Sequence, residues 1–129
     1  MSTSINFICV AIGGAAGACL RYAITMMLSD HAQRFPAGTL FANLLGALMA
    51  GLIVTWFWHR GLLGSPLQLV LVVGFLGGFT TFSAFSVETL RLAETGNLPL
   101  AGLNIVLNVA GSLLAVFLGA WLARMLLAE

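Results

Sequence analysis

The sequence contains no lysine, and it sets only five arginines and four acids among 129 residues. A soluble domain carries roughly 25% charged residues. At 7% charged and 60% hydrophobic, this chain has too few charges to cover a folded core with a hydrated surface. An ordinary soluble domain is excluded, and no nucleic-acid partner is expected. Cysteine is nearly absent too: Cys9 and Cys19 lie on one predicted helix about 15 Å apart along its axis. That is beyond the reach of a disulfide, so both read as small packing residues. Long polar connections are also missing, which leaves no room for a domain outside the membrane.

What remains is four long stretches almost free of charge. No Asp, Glu, Lys or Arg occurs between Arg34 and Arg60, between Arg60 and Glu88, or between Glu94 and Arg124. A helix crossing a bilayer needs about 20 apolar residues. The sequence therefore predicts an all-α integral membrane protein with spans at about 5–28, 37–58, 67–93 and 100–127. Together they form a single four-helix transmembrane domain over 1–129. The first span lacks a basic leader and is too long for a signal peptide's apolar region. The short connections Ser29–Pro36, His59–Pro66 and Glu94–Pro99 carry the turn formers and all three prolines.

Arginine bias normally sets membrane orientation. Here Arg60 and Arg124 fall on one side, and Arg34 and Arg91, with the deeper Arg21, on the other. This near balance leaves two readings open: one orientation set by something subtle, or insertion both ways, which would permit an antiparallel dimer.

Polar residues inside the spans recur at helical spacing. Thr39, Asn43 and Ala47 share a face of the second span, beside Gly46. Asn104, Asn108, Ser112, Ala115 and Gly119 share one on the fourth. Asparagines in a membrane either bond helices together or line a wet path, and both readings stand. Gly13-x-x-x-Gly17 and Gly74-x-x-x-Gly78 are small-residue patterns that let helices approach closely. Arg21 either snorkels to the nearby membrane edge or charges a vestibule. Glu88 is either interfacial or part of a polar track.

The third span contains "GFLGGFTTFSAFS" (Gly74–Ser86). Glycine costs about 1 kcal/mol relative to alanine in a helix, and the adjacent β-branched Thr80 and Thr81 add to this. A break near Gly77–Thr81 is expected. Irregular backbone at membrane depth occurs only inside protein or along a cavity, and its freed carbonyls make a cation site. Phe75, Phe79, Phe82 and Phe85 present rings whose edges are electropositive. Such edges suit an anion that must bind weakly enough to leave, although phenylalanines in a membrane more often simply pack. Four helices leave little room for a route within one chain, so a pore implies at least a dimer.

With "GGAAGACLRY" (Gly13–Tyr22), "GTLFANLLGA" (Gly38–Ala47) and "NVAGSL" (Asn108–Leu113), this third-span motif resembles the Fluc (CrcB) family of fluoride channels over essentially the whole chain. The resemblance implies an antiparallel, dual-topology homodimer with two parallel fluoride routes. It would be a multi-pass protein of the bacterial inner membrane that passively exports fluoride and so confers fluoride resistance. It further implies a structural Na⁺ at the dimer centre, held by backbone carbonyls of Gly77 and Thr80 from each subunit. Phe82 and Phe85, from opposite subunits, would touch fluoride with their ring edges, and Asn43 would donate its amide to the ion. Ser83, Glu88 and Ser112 would join a polar track with the Thr39 and Asn108 faces, and Arg21 matches the family's basic vestibule residue. The chain departs from the family at Ala84, where Thr is common, at Asn104, where some members have Tyr, and at Asn108, where some have Ser.

Two other classes compete. Small multidrug exporters have similar size and four spans, but resemble one another in a first-span glutamate, whereas this first span has Arg21. A non-transporting assembly protein accounts for the glycine faces and leaves Asn43, Phe82 and Phe85 unexplained as a set. An enzyme is not expected, since His31 and His59 lie at or beyond span ends, away from the serines and threonines.

Overall fold

A computed structural model describes residues 3–28 and 35–128. Residues 29–34, with His31 and Arg34 of the first connection, lie outside the described residues, so Arg34's place in the charge balance is not seen. Four helices long and apolar enough to cross a membrane run over Thr3–Met27, Ala37–His59, Pro66–Glu94 and Leu98–Leu127. Their ends lie within a few residues of the bounds expected from the sequence. The last helix starts earlier than expected because Pro99 sits in its first turn, where a missing N–H costs nothing.

We label the helices α1 (Thr3–Met27), α2 (Ala37–Arg60), α3 (residues 66–79), α4 (Phe82–Glu94) and α5 (Leu98–Leu127). Helices α3 and α4 are the two halves of the third span. The glycines decide the pairing. A side chain on Gly17 would collide with the Phe75 carbonyl oxygen, and one on Gly78 with that of Gly14, so α1 and α3 lie backbone to backbone. Gly51 and Gly119 do the same for α2 and α5, against the Val116 and Leu48 carbonyls. The two small-residue patterns of α1 and α3 therefore pack on each other, as their spacing implies.

The bundle buries polar side chains beside its apolar core and exposes large apolar ones. Thr39, Asn104 and Asn108 are buried, whereas Phe7, Leu114 and Phe117 are 72%, 71% and 71% exposed. That distribution suits a lipid surround, in which exposed apolar side chains carry no penalty and polar ones must find partners within the protein. Cys9 is half-buried and Cys19 exposed, and both are free thiols. Cys19 therefore faces outward from the chain instead of packing within it.

The break falls at Thr80 (φ −87°, ψ 157°) and Thr81 (φ −153°, ψ 124°), both extended. Gly77 stays helical at φ −62°, ψ −36°, so the glycines do not themselves unwind the chain. Gly78 gives α1 its close approach, while Gly46 on α2 makes room for the Thr80 methyl and the Phe79 ring. Ahead of the break, Leu69–Leu76 is wound as a π-helix, a wider turn that the sequence did not announce and that often marks functional sites.

Candidate functional site

The threonine break diverts a set of backbone hydrogen bonds. In a continuous helix Thr81 N–H would donate to the Gly77 carbonyl and Ala84 N–H to that of Thr80. Here Thr81 N–H donates to Asn43 Oδ1 at 2.8 Å and Ala84 N–H to Thr81 Oγ1 at 3.2 Å. The Gly77 and Thr80 carbonyls are thereby released from the ladder. The Gly78 carbonyl is capped by Arg21 Nε at 3.1 Å, which ties the half-buried arginine of α1 to the break.

Asn43 holds the other side. Its Nδ2 donates to the Thr81 carbonyl at 3.0 Å and to Asn108 Oδ1 at 2.8 Å, so both amide protons are engaged. Asn108 Nδ2 continues to Asn104, reaching its Oδ1 at 2.9 Å and its carbonyl at 3.1 Å. The faces read from sequence spacing on α2 and α5 thus meet in one amide network.

An open groove of about 660 Å³ runs along this network. Asn43, Gly77, Thr80, Phe82, Phe85, Asn108 and Ser112 all line it. A Cβ on Gly77 would meet nothing within 4 Å, so that turn of backbone faces open space. Phe82 is 74% exposed, whereas Phe85 is 6% exposed. The two rings meet edge to face, with centroids 5.2 Å apart and planes at 64°.

The phenylalanines divide. Phe79 is fully buried and stacks on Phe75 at 5.7 Å; that pair is core packing and offers no edge to an ion. Only Phe82 and Phe85 reach the groove.

Thr39 and Glu88 sit elsewhere, in a cavity of about 410 Å³ lined also by Thr25, Arg91, Thr95 and Asn97. Thr39 donates to Glu88 Oε1 at 2.6 Å, while Glu88 Oε2 is buried without a partner among the described residues. Ser83 is exposed beside the groove, 3.2 Å from the Thr81 hydroxyl. Arg21 lines neither space. The candidate residues from the sequence therefore fall into a groove set, a cavity pair and two outliers. Thr81 and Thr89 were missed as partners of the asparagines. The signal for Thr89 was its position four residues after Phe85, where a hydroxyl reaches back to a helix carbonyl.

The chain is similar to known proteins over most of its length. A family model described as "CrcB-like protein, Camphor Resistance (CrcB)" matches residues 8–120. A Pseudomonas putida protein named "Fluoride-specific ion channel FluC" is 47% identical over 116 residues, covering 89% of this chain and 94% of its own. Proteins of the same name from Clostridium perfringens (45% identical over 118 residues, 91% of this chain and 92% of theirs) and Roseobacter denitrificans (43% over 122 residues, 92% and 95%) are similar throughout.

Proposed function

The chain belongs to the CrcB family, and on that basis we propose that it is a passive, fluoride-selective channel exporting fluoride from the cytoplasm. It is a multi-pass membrane protein of a channel family and not an enzyme. The observation that carries the reading is the groove. It sets an amide, two phenyl rings and unladdered backbone along one open face, in a chain nearly half identical to proteins named for fluoride channels. The same identity favours this reading over a small multidrug exporter or a non-transporting assembly protein.

The groove is too open to isolate an ion within one chain, and Phe82 stands out from it. A second, antiparallel copy would cover that face and bring a Phe82 from each subunit toward the partner's Phe85. The near balance of arginines supports such dual insertion. Two such faces give two routes per dimer, in the bacterial inner membrane.

In the route, ring edges supply weak attraction without a fixed charge. Asn43 brings its amide to the route, held beside it by its bonds to Thr81 and Asn108, as a donor group for a charged acceptor. Asn108, Ser112 and Ser83 extend the polar lining. Thr39 and Glu88 continue it into the end cavity. Arg21 keeps its guanidinium near the break, where its charge favours an anion's approach.

A Na⁺ at the dimer centre fits the donor set. Unwound carbonyls coordinate that ion in membrane proteins, and the Gly77 and Thr80 carbonyls have lost their ladder donors to Asn43 and Thr81. Bound there, the cation would neutralise carbonyl dipoles and bind the two subunits together.

The test is efflux from liposomes loaded with fluoride or chloride and read by the matching ion electrode. Fluoride release with no chloride leak supports the reading; no fluoride release from folded protein overturns it.

A further inference from the structure

Three asparagines on two helices form a one-way hydrogen-bond chain that begins and ends on the turn carrying the two phenyl rings. Thr81 N–H donates to Asn43 Oδ1 at 2.8 Å, and Asn43 Nδ2 to Asn108 Oδ1 at 2.8 Å. Asn108 Nδ2 donates to Asn104 Oδ1 at 2.9 Å, and Asn104 Nδ2 to Thr89 Oγ1 at 2.9 Å. The Thr89 hydroxyl closes the chain by donating to the Phe85 carbonyl at 2.8 Å.

An asparagine amide can flip, exchanging its donor and acceptor, at little steric cost. Neither end of this chain can. A backbone N–H at Thr81 only donates, and a backbone carbonyl at Phe85 only accepts. The Thr81 N–H and carbonyl therefore fix the orientation of the Asn43 amide, and through it those of Asn108 and Asn104. The Thr89 hydroxyl, able to donate or accept, receives the end of the chain. Flipping Asn43 or Asn108 would set donor against donor and acceptor against acceptor, and flipping Asn104 would set its donor against that of Asn108. Asn104 is fully buried and Asn108 is 6% exposed, where an unpaired amide is costly and successive bonds polarise one another.

From this geometry we infer that Asn104 and Thr89 are positioning residues for the channel: they act through Asn108 and Asn43 to hold the 81–85 turn, and so the Phe82 and Phe85 rings, in register. Neither residue lines the groove. Thr89 is the terminal acceptor, and without its hydroxyl the Asn104 amide N–H that donates to it has no partner. The role in conduction rests on the fluoride-channel reading; the relay itself does not.

Thr89→Val, Thr89→Ser, Asn104→Leu and the Thr89→Val/Asn104→Leu double variant separate the two. Each is read by thermal unfolding in detergent and by fluoride efflux from liposomes. Thr89→Val is expected to slow efflux roughly tenfold, the effect of leaving one buried donor unpaired, and Thr89→Ser, which keeps the hydroxyl, to restore it. The double variant should melt no lower, and conduct no more slowly, than the worse single one, because both interrupt the same chain. Melting-temperature losses that add, or a Thr89→Val channel as fast as the unaltered protein, would overturn the inference. If the unaltered protein passes no fluoride, the channel reading fails, and the melting temperatures alone decide the relay.

Discussion

Asn43 grips Thr81 as one peptide unit grips another: it accepts from the Thr81 N–H at 2.8 Å and donates to the Thr81 carbonyl at 3.0 Å. A side chain of α2 thereby replaces the helical partners that the third span gives up at its break. The interruption is pinned from α2 by Asn43 on Thr81 and from α1 by Arg21 on the Gly78 carbonyl, while the Gly77 and Thr80 carbonyls stay released.

Asn43→Leu keeps the branched shape and removes both bonds to Thr81 and the one to Asn108. The buried backbone groups left behind should destabilise the protein by about 1–3 kcal/mol, read as a lower melting temperature in detergent. Fluoride efflux should be lost with it. Arg21→Leu, which uncaps a single, partly exposed carbonyl, should cost about 1 kcal/mol by the same measurement.

Two glycines of the third span and its neighbour should respond oppositely to a methyl group. Gly17→Ala drives a Cβ into the Phe75 carbonyl oxygen and should destabilise the chain by about 1–3 kcal/mol through forced separation of α1 and α3. Gly77→Ala meets nothing within 4 Å in a single chain. It should leave the fold intact and weaken the dimer, whose proposed interface runs along that groove. Thermal unfolding and size-exclusion chromatography of the two variants distinguish these effects.

Thr39→Val removes the hydroxyl that donates to Glu88 Oε1, leaving a carboxylate whose other oxygen is already unpartnered among the described residues. Fluoride efflux should fall while the melting temperature changes little, since the polar cavity around Glu88 lets water replace the lost donor. Thr39→Ser should conduct like the unaltered protein.

Removing the proposed cation should loosen the assembly. A ligand that binds only the folded state raises stability with its concentration. Protein held in N-methylglucamine chloride should therefore melt at a lower temperature than protein held in sodium chloride, and should recover when Na⁺ is restored. Gly77 and Thr80 supply only backbone oxygen, so side-chain truncation at Thr80 (Thr80→Ala) should leave that sodium dependence in place.

The sequence announced the spans through its missing charges and a break near Gly77–Thr81, though Gly77 stays helical and Thr80 and Thr81 carry the extension. Four-residue spacing placed Asn43 and Asn108 on faces that meet. What it could not announce was which groups compensate the break. The cap of Arg21 on Gly78 links residues 57 positions apart, and only the glycine-mediated approach of α1 to α3 brings them together. The π-helix of Leu69–Leu76 has no periodic signature in so uniformly apolar a run. The phenylalanines looked alike in sequence, and packing alone separates the buried Phe79 from the exposed Phe82.

The most direct test is a side-by-side efflux measurement on liposomes holding the unaltered protein or Asn43→Leu, with fluoride and chloride electrodes on matched samples. A fluoride channel built at the Asn43–Thr81 junction predicts rapid fluoride release and no chloride leak from the first, and neither from the second. Equal fluoride release from both, or fluoride and chloride leaving together, would contradict it.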